Sequence, residues 1–185
     1  MNLIRIISWD IGSKNLAYCI IDIDSNLKNW KIKKWNVFSL MDKHKSDSIL
    51  IGKCVYEKFC KIKSDIVDGI DIVLIESQSN IRSGMEAISS AITVFYRCSG
   101  IDIINSINPK DKYRVFPNVD FPKGKSGYYQ RKKKISKYTE KMLEKLKLYN
   151  ELKYLKTHNG KIDDLCDAFV LALSFIEYKF ISDNI

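Results

Sequence analysis

Apolar positions come in short runs at the start of this chain and at helical spacing further on, and the change of period divides it into elements. Leu3-Ile4-Arg5-Ile6-Ile7-Ser8-Trp9 is a strand-like run that stops at Asp10, with a turn at Gly12. Leu16 to Ile23 predicts a second strand, Asp24-Ser25-Asn26 a turn, and Lys31 to Phe38 a third strand, so three antiparallel strands open the fold. From Ser46 to Val67 the apolar residues Ile49, Leu50, Val55, Phe59, Ile62 and Ile66 approach helical spacing. Ile70 to Glu76 is short and continuously apolar, the pattern of a strand buried on both faces. A second helix is predicted over Gly84 to Arg97, and a strand over Ile101 to Ile107 that stops at Asn108-Pro109. This alternation is that of a mixed α/β sheet.

Pro109, Pro117, Pro122, Gly124 and Gly127 predict a loop without regular structure over 109–129, and a lysine-rich helix follows from about Tyr129 to Leu148. The last helix, about Asp163 to Phe180, has aspartates in its first turn and an all-apolar stretch at Ala168 to Leu173. A helix that is apolar on every side enters the interior, so its acids lie where the core begins. At 185 residues and 45% hydrophobic, the chain suits one domain spanning 1–185.

Four carboxylates then gain meaning together. Asp10 and Glu76 each end an apolar run, which places a charge where a buried sheet meets solvent, and Asp164 and Asp167 stand three apart on one side of a helix. Converging acids repel unless a cation sits among them, and an all-oxygen set suits Mg²⁺ or Mn²⁺. Taken singly each acid has a plainer role: Asp163 and Asp164 as helix cap and first-turn anion, Glu76 as a strand-end charge, Asp10 as a turn former.

The net charge of +9 is concentrated. Residues 123–147 hold ten Lys or Arg against Glu140 and Glu144, a local surplus of eight that favours a polyanion, most simply nucleic acid. The longest apolar run, Ala168 to Leu173, is far short of the roughly 20 residues that span a bilayer, and Asp10 interrupts any signal-like core, so a soluble, non-secreted protein is expected. Cys19, Cys54, Cys60, Cys98 and Cys166 form no C-x-x-C pair and are odd in number, which suits reduced, buried residues in a cytosol-like compartment.

A strand-end Asp in a hairpin opening, a Glu ending a later buried strand and D-x-x-D on the last helix, in that order, resemble the ribonuclease H-like nucleases. Ser8-Trp9-Asp10-Ile11-Gly12-Ser13-Lys14-Asn15-Leu16-Ala17-Tyr18 is similar to the opening of the RuvC-type Holliday junction resolvases and their poxvirus and mitochondrial relatives. Glu76-Ser77-Gln78 with Arg82 resembles their second motif, and Lys161 to Phe169 their last, with D-x-x-D on Asp164 and Asp167 and Asp163 left as a cap. Length, the basic stretch before the last helix and the lysine content point to the poxvirus branch.

The resemblance implies a mixed five-stranded sheet flanked by helices, and a homodimer that binds four-way DNA junctions and other branched DNA. It implies paired hydrolytic nicks made with Mg²⁺, or Mn²⁺ in its place, as two ions held by Asp10, Glu76, Asp164 and Asp167. It also implies action during DNA recombination and replication, in the host cytoplasm where a poxvirus replicates. A catalytic lysine is implied before the D-x-x-D, and the spacing best matches Lys134, with Lys133 next. Arg82, Arg131, Lys132, Lys133 and Lys137 are the candidate DNA contacts. Tyr128 and Tyr129 read first as packing residues and second as rings that stack on unpaired bases.

Rival readings are another ribonuclease H-like nuclease, acting on RNA–DNA hybrids or as a transposase-type strand cutter, and a non-catalytic DNA-binding module. The last leaves four convergent acids beside a polyanion as an unexplained electrostatic cost. The sugar kinase and actin-like fold also begins with a strand and D-x-G. It needs a second such loop and about twice the length.

Overall fold

A computed structural model describes residues 3–12, 14–24, 29–40, 47–77, 83–124, 127–158 and 161–177. Arg82 and Gln78 lie outside the described residues. The three opening strands are β1 (Leu3–Ile11), β2 (Asn15–Asp24) and β3 (Trp30–Ser39), each antiparallel to the next. The β1–β2 turn depends on Gly12, whose N–H donates to the Asn15 carbonyl at 3.0 Å. A Cβ there would stand 2.7 Å from that same oxygen, so no side chain fits without moving the backbone.

Helices α1 (Ser48–Lys61) and α2 (Lys63–Val67) replace the single helix expected before the fourth strand, with a break at Ile62. Asp47 caps α1, accepting from the Ile49 and Leu50 amides. Strand β4 (Ile72–Glu76) is buried throughout, followed by α3 (Ser83–Cys98) and β5 (Ile103–Ile107). The five strands order as β3-β2-β1-β4-β5, with β4 parallel to both β1 and β5.

The segment expected to lack regular structure contains a short 3₁₀ helix, Asp111–Val115, fixed by the buried Val115 and Phe116. Helix α4 (Tyr128–Lys145) is the basic helix, and α5 (Tyr149–Thr157) is an additional one that no sequence signal announced. Helix α6 (Ile162–Phe175) closes the described chain.

Alternate side chains of the sheet feed two cores. Ile7, Trp9, Tyr18, Ile20, Val73 and Ile75 pack under α1 and α3, whereas Ile6, Cys19, Ile21, Ile72 and Leu74 pack under α6 with α4 and α5 outside it. Phe169 is fully buried, with its ring 5.2 Å from Trp35 and 5.7 Å from Trp30. Phe169→Ala is therefore expected to lower stability by roughly 3–5 kcal/mol, read as a shift of the urea midpoint at unchanged slope.

Two polar ties seat α6 on the sheet. Trp35 Nε1 donates to the Leu165 carbonyl at 2.7 Å, and Ser8 Oγ to the Ala168 carbonyl at 2.7 Å. All five cysteines are free, but only Cys19 and Cys166 are buried; Cys60 and Cys98 are exposed, contrary to the expectation that all five fill the core. No helix among the described residues is long and apolar enough to cross a membrane.

Candidate active site

Strands β1 and β4 run parallel in the register Ile6↔Ile72 to Trp9↔Ile75. One residue further on, this brings Asp10 and Glu76 to the same carboxyl-end edge of the sheet, the edge where open α/β sheets place their chemistry. Helix α6 lays its first turns across this edge and contributes Asp167, which is 5% exposed. Asp10 and Glu76 are each 8% exposed. Three sequence-predicted acids from three segments thus meet at the floor of a cleft of about 1770 Å³. Asp164 also lines the cleft, one turn of α6 from Asp167.

Two ammonium groups stand among these acids. Lys112, on the 3₁₀ helix and 5% exposed, places Nζ 2.7 Å from Glu76 Oε1, 3.5 Å from Asp167 Oδ1 and 3.7 Å from Asp10 Oδ1. Lys132, on α4, donates to Asp163 Oδ2 and Asp164 Oδ1 at 2.7 Å each and lies 3.8 Å from Asp167 Oδ2. Five carboxyl groups therefore share two monovalent cations.

The charge states follow from burial and these neighbours. Burial drives the Asp10 carboxyl well above the usual range, helped by Glu76 and Asp167 and opposed by Lys112. Burial also raises Asp167, against the pull of Lys112 and Lys132. Glu76 suffers the same desolvation, but the attraction and hydrogen bond of Lys112 outweigh it and hold that carboxyl low. Desolvation disfavours the Lys112 ammonium too, yet Asp167, Glu76 and Asp10 overcome it and keep the group charged.

The site places the candidate lysines differently from their spacing along the chain. Lys134 points away, its ammonium donating to the Asp120 carbonyl, while Lys132 faces the acids. Arg131 reaches back to the Pro122 and Gly124 carbonyls at 2.8 Å each, so it clasps the loop that walls the cleft. Lys133, Lys137 and Lys141 are exposed and four residues apart, which aligns them along one side of α4. Asp163 is not the cap of α6, since the N-cap position is Lys161; it takes Lys132 instead. Tyr128 and Tyr129, expected to pack, are 48% and 82% exposed at the cleft mouth, with Lys132 Nζ 5.5 Å from the Tyr128 ring centre. Sequence reasoning missed Lys112 altogether, because one lysine in a proline-bounded loop carries no periodic signal.

Among the described residues, no three carboxylates are spaced as they stand to ligate one ion, and the Lys112 ammonium stands within 4 Å of Asp10, Glu76 and Asp167. The donor chemistry nevertheless fits a hard divalent cation: the acids offer only oxygens, and buried Asp167 Oδ1 has no hydrogen-bond partner. Asp10, Glu76 and Asp167, with Asp164 beside them, are the residues that would hold it.

The mixed five-stranded sheet flanked by helices has the fold of the RuvC-like resolvases. The family described as Poxvirus A22 protein matches residues 4–179, and the chain belongs to that family. Among solved structures, a fowlpox virus resolvase in complex with Holliday junction DNA is 23% identical, covers 94% of this chain and 97% of its own, and superposes with a TM-score of 0.67. The fowlpox virus Holliday junction resolvase without DNA is 19% identical over 94% and 98% of the two chains, with a TM-score of 0.60. Thermus thermophilus RuvC in complex with a Holliday junction substrate shares 12% identity over 96% of each chain, also at 0.60. No curated protein sequence matches the chain.

Proposed function

We propose that this protein is a structure-selective endonuclease that resolves four-way DNA junctions by paired, metal-dependent hydrolytic nicks. The observation that carries the reading is the meeting of Asp10, Glu76 and Asp167 at the floor of a cleft whose wall is the basic helix α4. The resolvases that share this fold, from fowlpox virus and Thermus thermophilus, are seen on Holliday junction DNA, which favours a junction over a hybrid or a linear duplex.

Bound Mg²⁺, or Mn²⁺ in its place and as two ions, would supply a Lewis acid and an activated water. Asp10, Glu76, Asp164 and Asp167 are the residues that would hold the ions. Lys132 orients Asp164 and Asp163 in the ground state and presents an ammonium to charge developing on the scissile phosphate. Lys133, Lys137 and Arg82 contact the DNA backbone, and Arg131 shapes the cleft wall. A single domain pairs as a homodimer so that two equivalent sites face two equivalent strands, and it acts in the host cytoplasm where poxvirus DNA replicates.

Incubation with labelled four-way junction, linear duplex and RNA–DNA hybrid, with and without Mg²⁺, tests this. Junction cut into nicked duplexes only with Mg²⁺ is the expected result; preferential cutting of the hybrid overturns the substrate assignment. Light scattering that finds only monomer at working concentration, together with unpaired nicks, overturns the two-fold arrangement.

A further inference from the structure

Lys112 has a peculiar position. A buried ammonium is ordinarily matched to one carboxylate with good geometry, because desolvation is otherwise uncompensated. Here one ammonium serves three. It hydrogen-bonds Glu76 at 2.7 Å, stands 3.5 and 3.7 Å from Asp167 and Asp10, and leaves Asp167 Oδ1 without a hydrogen bond. That is the position of a cation at the centre of an oxygen cage.

We infer that Lys112 is an internal counter-ion whose ammonium and a divalent metal ion are alternative occupants of the Asp10–Glu76–Asp167 cage. The inference deepens the metal-dependent reading of this same site and rests on it. Without metal, Lys112 neutralises the cage and keeps the acids assembled. For metal to enter, the ammonium must withdraw, and it can do so without unfolding the sheet because it is carried on four methylenes from a short 3₁₀ helix along the cleft wall. The site then discriminates against monovalent ions, which gain little over the ammonium already present, and loads a divalent ion most readily when phosphates draw the lysine out.

The test is Mn²⁺ binding by titration calorimetry on the whole protein without DNA, with thermal melts alongside. Lys112→Met keeps the stem and removes the charge; it is expected to bind Mn²⁺ about tenfold more tightly than wild type, since no ammonium has to be displaced from the cage before the ion enters. Its metal-free form melts below wild type, and saturating Mn²⁺ restores the difference. Lys110→Met, which removes an equal charge from an exposed position two residues away, leaves both readouts at wild type. Lys112→Gln replaces the Met variant if that fails to fold. Equal Mn²⁺ affinity in wild type and the Lys112 variants overturns the inference while leaving the metal reading intact, as does an equal gain from Lys110→Met. No Mn²⁺ binding by any of them at millimolar concentration overturns both.

Discussion

Asp10→Asn, Glu76→Gln and Asp167→Asn are each expected to lower single-turnover cleavage of a four-way junction by about 10³-fold or more, because each removes an oxygen from the cage that would hold the ions, a loss of about 4 kcal/mol or more in the barrier. Junction affinity holds or improves. Every one of these substitutions removes negative charge from the floor of the cleft where the proposed reading puts the DNA phosphates, so gel shifts in Ca²⁺ or without divalent ions match wild type or exceed it. Rates within a few-fold of wild type for all three would remove the acids from the chemistry and return the site to a binding role.

Lys132→Ala is the second large effect, and its contrast with Lys134 is what tests the geometry. Lys132 touches Asp163 and Asp164 at 2.7 Å and lies 3.8 Å from Asp167, so its loss lowers the saturated cleavage rate by about 10²- to 10³-fold. Lys134 spends its ammonium on the Asp120 carbonyl, and Lys134→Ala leaves the saturated rate within about threefold of wild type. Lys137→Ala and Lys141→Ala weaken binding and reduce its salt dependence by about one ion each without moving the saturated rate. Single-turnover rates at saturating protein beside salt-titrated affinities separate the three classes. A loss for Lys134 equal to that for Lys132 would mean that α4 turns when DNA binds.

The acids were legible because each is marked by its own neighbours. Asp10 and Glu76 end runs whose apolarity marks buried strands, and Asp164 and Asp167 precede a stretch too apolar to lie on a surface. The choice among Lys132, Lys133 and Lys134 was of another kind. All three sit on one helix, successive residues point about 100° apart, and only the packing of α4 against α6 decides which faces the acids. Asp163 misled for a related reason: a first-turn aspartate suggests a cap, but Lys132 reaches it from another helix. Lys112 was invisible because its role depends on a fold-back of residues 109–124 that no local pattern encodes, and α5 because nine residues without a capping side chain resemble the end of the helix before it.

The way the acids are hung has a consequence for how this protein tolerates changes of length. Asp10 and Glu76 lie on neighbouring strands, each one residue past the paired Trp9 and Ile75, so the distance between their backbones is set by the spacing of about 4.8 Å that any two paired strands keep, whatever joins them. Residues can be added between Glu76 and α3 without altering that spacing. Helix α6 has no such ruler. Its angular setting comes from Trp35 holding the Leu165 carbonyl and Ser8 holding the Ala168 carbonyl. One residue inserted between Leu165 and Asp167 turns the two halves of the helix by about 100° relative to each other, so it cannot keep both ties and still aim Asp167 into the cleft. The enzyme is thus built from a fixed pair and an indexed third, and insertions that the sheet edge ignores disarm it when they fall within α6.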